Sequence, residues 1–138
     1  MKILIIDDDP LVRYTLAKIL TNHGYDVVTA IDGQRGFDSL QSENPQIVIT
    51  DMIMPEQEGI ETIIRIRRER PDVGIVAISG GGRYGNMDFL PMAQSLGASQ
   101  TLAKPFEADE LLNCVQHVAA MLARPQSTLG QTGSADAA

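Results

Sequence analysis

Apolar residues along this chain fall into short consecutive runs that alternate with longer segments of helical period. Ile3-Leu4-Ile5-Ile6 and Ile47-Val48-Ile49-Thr50 are apolar or β-branched at successive positions, which predicts strands buried on both faces of a parallel sheet. The first strand is read as Lys2–Ile6 and the third as Ile47–Thr50; Asp26–Ala30 gives a weaker second strand, Gly74–Ile78 a fourth and Gln100–Ala103 a short fifth. Between them lie helical segments. Asp9 suits an N-cap and Pro10 the first helical position, so a helix runs to about Asn22, with Gly24 as its stop. Leu11, Thr15, Leu16 and Ile19 are expected to form its inward stripe. A second helix spans Gln34 to Ser42, and after an irregular Asp51–Glu58 segment a third spans Gly59–Arg70, with Ile60, Ile63, Ile64 and Arg67 at helical spacing. Met87–Leu96 is a short helix with Pro91 in its first turn, closed by Gly97. The last helix follows Pro105 and runs to about Ala123 along Leu111, Val115, Val118 and Leu122.

Strict alternation of strand and helix implies right-handed crossovers and helices on both faces of one sheet. The expected fold is α/β: a flavodoxin-like (βα)5 three-layer sandwich whose parallel five-stranded sheet runs in the order 2-1-3-4-5. One domain over residues 1–123 accounts for this pattern, and residues 124–138, rich in Gly, Ser, Ala, Gln and Thr, read as a disordered tail or linker. The net charge of −7 argues against nucleic acid and anionic membrane as direct partners. A single cysteine, Cys114, excludes an internal disulfide and fits a reducing, cytoplasmic setting. No apolar stretch is long enough to span a bilayer.

The chemistry lies at the strand ends. Asp7, Asp8 and Asp9 follow the first strand directly, and Asp51 follows the third. In the order 2-1-3-4-5 those two strands are neighbours at the point where the connections reverse direction, and open α/β sheets place their sites there. Clustered carboxylates repel, and an all-oxygen pocket suits Mg²⁺ (or Mn²⁺). Taken alone, Asp7 and Asp8 are ordinary turn residues, Lys104 a solvated lysine and Ser79 a turn serine before glycines. Together they place a cation opposite three carboxylates. Asp9 is assigned to the helix cap. His23 is a solvated cap residue, Cys114 a packing residue, and Arg65, Arg67, Arg68 and Arg70 a solvated face paired with Glu61 and Glu69.

Over residues 1–123 the chain resembles the receiver (chemotaxis-regulator-like) domain of two-component response regulators. The resemblance rests on an ordered set: Ile6-Asp7-Asp8-Asp9, Asp51-Met52-Ile53-Met54-Pro55 with Gly59, Ser79-Gly80, and Gly97-Ala98 before Lys104-Pro105-Phe106. It implies phosphorylation of Asp51 by a sensor histidine kinase or histidine phosphotransfer protein, with contacts to a downstream protein target switched as a result. It implies Mg²⁺ held by Asp8, Asp51 and the backbone carbonyl of Ile53, with Asp7 acting through water. Lys104 and Ser79 would contact phosphoryl oxygens, Gly80 would leave room for the group to enter, and Pro105 would follow a cis peptide. Such a domain promotes its own phosphorylation and dephosphorylation and is not a multiple-turnover enzyme.

Two departures from the family stand out. Many receivers carry an aromatic switch residue three positions before the lysine, where this chain has Thr101; activation is therefore expected to rely on the Ser79–Asn86 loop and the fourth helix. The positions that can steer a hydrolytic water are Ile53 and Gly81, neither of them polar, so self-dephosphorylation is expected to be slow. With no recognisable output domain, a stand-alone receiver is expected; the alternatives are a receiver fragment of a longer transcription regulator and a Mg²⁺-dependent haloacid-dehalogenase-type phosphatase. The latter wants Asp-x-Asp with Thr or Val two residues on, and Leu11 stands at that last position.

Overall fold

Five parallel strands form one sheet in the order β2-β1-β3-β4-β5, with β1 at Lys2–Ile6, β2 at Asp26–Ala30, β3 at Ile47–Asp51, β4 at Gly74–Ser79 and β5 at Gln100–Ala103. Between and after them lie α1 (Pro10–Asn22), α2 (Gly33–Glu43), α3 (Glu58–Glu69), α4 (Phe89–Leu96) and α5 (Ala108–Ala123). The computed structural model describes residues 1–52, 58–79 and 89–123, with backbone alone at 58, 59, 89, 90 and 92. The expectations for Ile53, Gly80, Gly81, nearly all of the Ser79–Asn86 loop and the 124–138 tail lie outside the described residues.

The strand sequences dictate a sheet covered on both sides. In β1, Ile3 and Ile5 join one core with Leu16 and Leu20 of α1 and Leu111, Val115 and Val118 of α5. Leu4 and Ile6 join the other with Leu40 of α2, Ile63 and Ile66 of α3 and Ala93 of α4. These strand residues are fully buried. Each such isoleucine or leucine contributes roughly 1.5–3 kcal/mol relative to an exposed position. Two of the helical stripes are rotated from expectation. On α1, Leu11 is 71% exposed and Thr15 is exposed, and Leu20 takes the inward position. On α3, Ile64 faces outward and Ile66 inward.

Caps fix the helix starts. Asp9 accepts from the Leu11 amide at 2.9 Å, and Asp32 accepts from the Arg35 amide at 2.8 Å. His23, just past α1, returns its ring Nδ1 to the Ile19 carbonyl at 3.0 Å. Gly36 lets α2 approach β1, because a Cβ there would collide with the Ile6 side chain. The expected solvated face holds for Arg68, which is exposed, but not for its neighbours: Arg65 lies 3.9 Å from the Phe37 ring centroid, Arg67 turns into a cluster of carbonyls, and Arg70, just past α3, bonds Asn44 Oδ1 at 2.8 Å.

Candidate functional site

The register of the sheet delivers the acidic residues to one place. Ile6 of β1 pairs with Thr50 of β3, so Asp7 and Asp51 leave adjacent strands at the same level. Asp51 pairs with Ile78, and Ser79 with Ala103, so Asp51, Ser79 and Lys104 emerge at the carboxyl edge of three successive strands. Backbone bonds lock these ends: the Asp7 amide donates to Ala30 O at 3.1 Å, Met52 to Ile78 O at 2.7 Å and Lys104 to Ser79 O at 2.8 Å. Asp51 and Ser79 are the final residues of their strands rather than the first residues of loops, which holds both side chains by ladder pairing.

Asp7, Asp8 and Asp51 each offer a carboxylate oxygen, all within 4.8 Å of one another. Asp7 and Asp51 are buried and Asp8 is exposed. Asp7 Oδ1 accepts from the Asp9 amide at 2.9 Å, whereas its Oδ2 is buried and has no hydrogen-bond partner. Burial pushes the Asp7 pKa up to about 6, and the Asp51 charge adds to the rise while the Asp9 amide opposes it. An orphaned buried carboxylate oxygen beside two further carboxylates fits a hard, oxygen-seeking divalent cation, which would satisfy it and offset the repulsion.

The opposing charge comes from Lys104, whose Nζ lies 3.5 Å from Asp51 Oδ2. Its half-buried stem leaves the ammonium at the mouth of the site. The Lys104–Pro105 peptide is cis. Ser79 is buried beside these groups in register, and Thr101 is half-buried on β5. Asp9 stays apart, spent on the α1 cap, which removes the second catalytic carboxylate that the phosphatase alternative needs. Arg13 was not singled out from the sequence; its Nη1 donates to the Asp7 carbonyl at 2.8 Å and braces the loop that carries Asp7 and Asp8. The signal available was only a basic residue one turn into a capped helix.

Beside the site, Leu11, Val12, Leu16, Ile19, Pro105 and Phe106 line an open apolar groove of about 530 Å³ between α1 and the start of α5. Among the described residues no helix is long and apolar enough to cross a membrane.

Residues 3–116 match the family described as a response regulator receiver domain. Among curated proteins, sporulation initiation phosphotransferase F of Bacillus subtilis is 31% identical over 115 residues, covering 83% of this chain and 90% of that protein. Response regulator MprA of Mycolicibacterium vanbaalenii is 33% identical over 116 residues, covering 81% of this chain and 47% of that protein. The chain thus spans about half the length of that relative. Among solved structures, the receiver domain protein from Clostridium thermocellum superposes with a TM-score of 0.78 at 27% identity, covering 87% of this chain and 94% of that one. The response regulator TrrA from Thermotoga maritima, solved in complex with Mg(2+)-BeF, gives 0.73 at 29% identity, covering 85% and 97%.

Proposed function

The chain belongs to the response regulator receiver family, and from that premise we propose that Asp51 is the residue that accepts a phosphoryl group, from a phosphohistidine on a sensor histidine kinase or histidine phosphotransfer protein. The single observation that carries this reading is the convergence of Asp7, Asp8 and Asp51 within 4.8 Å, with Lys104 Nζ 3.5 Å from Asp51 Oδ2, at the carboxyl edge of β1, β3 and β5.

In the reaction an Asp51 oxygen forms a bond to phosphorus as the bond from phosphorus to the donor imidazole nitrogen breaks, its electron pair staying on the ring. Both reactants are anionic, so charge neutralisation dominates the barrier. Lys104 supplies a fixed positive charge for a phosphoryl oxygen, and the Ser79 hydroxyl donates to another. Gly80 would leave room for the group to enter, and Thr101, paired with Ala77 in the sheet, stands at the family's switch position three residues before Lys104. Asp8, Asp51 and the Ile53 carbonyl would hold Mg²⁺ or Mn²⁺, with Asp7 in its outer shell, and the cation would supply Lewis-acid neutralisation of the carboxylates and incoming oxygens.

Receivers are signalling domains, and we assign this one no multiple turnover on an external substrate. The phosphorylated form changes contacts with a downstream protein in the cytoplasm, and the net charge of −7 disfavours direct nucleic-acid or membrane binding. The functional domain is taken as residues 1–123, since the family match ends within α5, and residues 124–138 as a tail or linker.

Incubation with Mg²⁺ and acetyl phosphate or phosphoramidate, followed by intact mass, tests the assignment. The expected result is one phosphoryl adduct on the wild-type chain and none on Asp51→Asn. No adduct with any donor, histidine kinases included, overturns it.

A further inference from the structure

Arg67 sits in the last turn of α3, where helix carbonyls run out of amide partners. Its guanidinium donates to carbonyls from two separate parts of the fold. Nε and Nη2 reach Gly97 O, just past the end of α4, at 3.2 and 2.8 Å. Nη1 reaches Val73 O at 2.7 Å and Pro71 O at 2.8 Å, in the connection from α3 to β4. Gly97 is shaped for this contact: its φ is +122°, and a Cβ there would meet Arg67 Cγ at 3.0 Å and Nε at 3.1 Å. Only a planar fork with several donors spans both sets of acceptors; a lysine ammonium offers the charge without the reach.

Among the described residues, the anchorage of α4 lies toward the same end. Ala93 is fully buried, the Ala98 amide bonds Ala93 O at 2.9 Å, and Ser99 exchanges bonds with Ile75, its amide to Ile75 O at 2.7 Å and its Oγ accepting from the Ile75 amide at 3.1 Å. The first turn of α4, which begins at Phe89, contains an exposed Pro91, which has no amide to donate. The chain reaches that end from Ser79, at the acceptor site.

We propose that Arg67 is a positioning residue that pins the C-terminal end of α4 to the α3–β4 connection, so that α4 answers occupancy of the acceptor site by turning about this pinned end. The pivot rests on Asp51 being the acceptor; the pin does not. It assigns to Arg67 the coupling of the two helices that follow the acceptor strands β3 and β4.

Amide exchange and amide shifts on the full chain test it, free and with Mg²⁺ and beryllofluoride as the phosphoryl mimic. In the free protein, exchange at Gly97, Ala98 and Ser99 is expected to rise about tenfold or more in Arg67→Ala and Arg67→Lys, with the β1 and β3 amides unchanged. Gly97→Ala, which displaces Arg67 from the other side, is expected to do the same and serves if Arg67→Ala does not fold. With the mimic, wild-type shifts are expected to be large in the first turn of α4 and small at Gly97–Ser99, and this gradient should vanish in Arg67→Lys. Unchanged exchange in the variants overturns the pin, and equal wild-type shifts at both ends of α4 overturn the pivot. Asp51→Asn separates the readings: if the mimic shifts wild type and this variant alike, or neither, the acceptor assignment fails, and free-protein exchange still decides the pin.

Discussion

Asp7 is held in the folded state at an electrostatic disadvantage, and its removal is expected to stabilise the metal-free protein. Burial and the neighbouring Asp51 charge raise its pKa from an ordinary 3.8 to about 6. At 1.36 kcal/mol per pH unit, that difference corresponds to about 3 kcal/mol against folding at pH 7.5. The sign follows from linkage. A carboxyl whose folded pKa is raised binds its proton more tightly when folded, so the penalty is absent well below pH 4, grows as pH rises from about 4 to 6, and is complete above that. By pH 5 it is about half its full value. Asp7→Asn removes the charge while its side-chain oxygen can still accept from the Asp9 amide, now at 2.9 Å to Oδ1. Allowing for the buried amide that replaces the carboxylate, the expected gain is about 1–3 kcal/mol at pH 7.5, or roughly 4–12 °C in Tm for a domain of this size. Urea unfolding in EDTA at pH 5 and 7.5 measures it, and repeating it with Mg²⁺ should stabilise wild type more than the variant. A variant less stable than wild type in EDTA, or a difference identical at both pH values, would refute the reasoning.

Lys104→Ala removes the charge 3.5 Å from Asp51; loss of one charged contact is worth about 1.5–3 kcal/mol, so phosphorylation by acetyl phosphate should slow roughly 10–100-fold in a mass-based time course while Mg²⁺ still binds. Ile53→Asn supplies a polar side chain at the position that the family resemblance assigns to steering a hydrolytic water, and phospho-Asp51 should decay faster than in wild type by the same mass assay; an equal or slower decay counts against the idea that an apolar residue at this position slows hydrolysis. Gly36→Ala drives a methyl into the fully buried Ile6 and Gly74→Ala one into Val118, so each should lower the urea midpoint, by about 1–3 kcal/mol of stability.

How far the sequence reveals this fold depends on whether a feature is local or tertiary. β1, β3 and β4 were legible because β-branched runs without polar interruption fit little else than a sheet covered on both faces. The alternation gave a parallel sheet, the flavodoxin-like pattern that five such strands suit gave its order, and with order came the meeting of Asp7, Asp8 and Asp51. The helix faces were less legible. On α1 the apolar residues Leu11, Val12, Leu16, Ile19 and Leu20 span an arc wider than one face, and only docking angle decides that Leu20 goes in and Leu11 out. Arg67 was misread as solvated because its partners are backbone carbonyls, which carry no signature in side-chain chemistry.

The same distinction explains why the site tolerates its own repulsion. Asp7 and Asp51 are placed by ladder hydrogen bonds and by the register of β1 with β3, not by mutual attraction. The strands bring four fully buried residues, Ile3 to Ile6, and the equally apolar Ile47 to Ile49 into two cores. At roughly 1.5–3 kcal/mol each, one or two of these side chains offset the roughly 3 kcal/mol burden on Asp7. The core therefore holds an acidic cluster that no local preference would assemble. Lys104 offsets part of the charge at one edge, and Asp7 Oδ2 remains buried without a hydrogen-bond partner. On the proposed assignment, a cation would relieve this state, and an incoming phosphoryl group would bring its own demand for Lys104 and Ser79. The stability withheld from the metal-free form at Asp7 is thus the free energy that cation binding can recover, which is why the Asp7→Asn variant should be both the more stable protein without Mg²⁺ and the less responsive one with it.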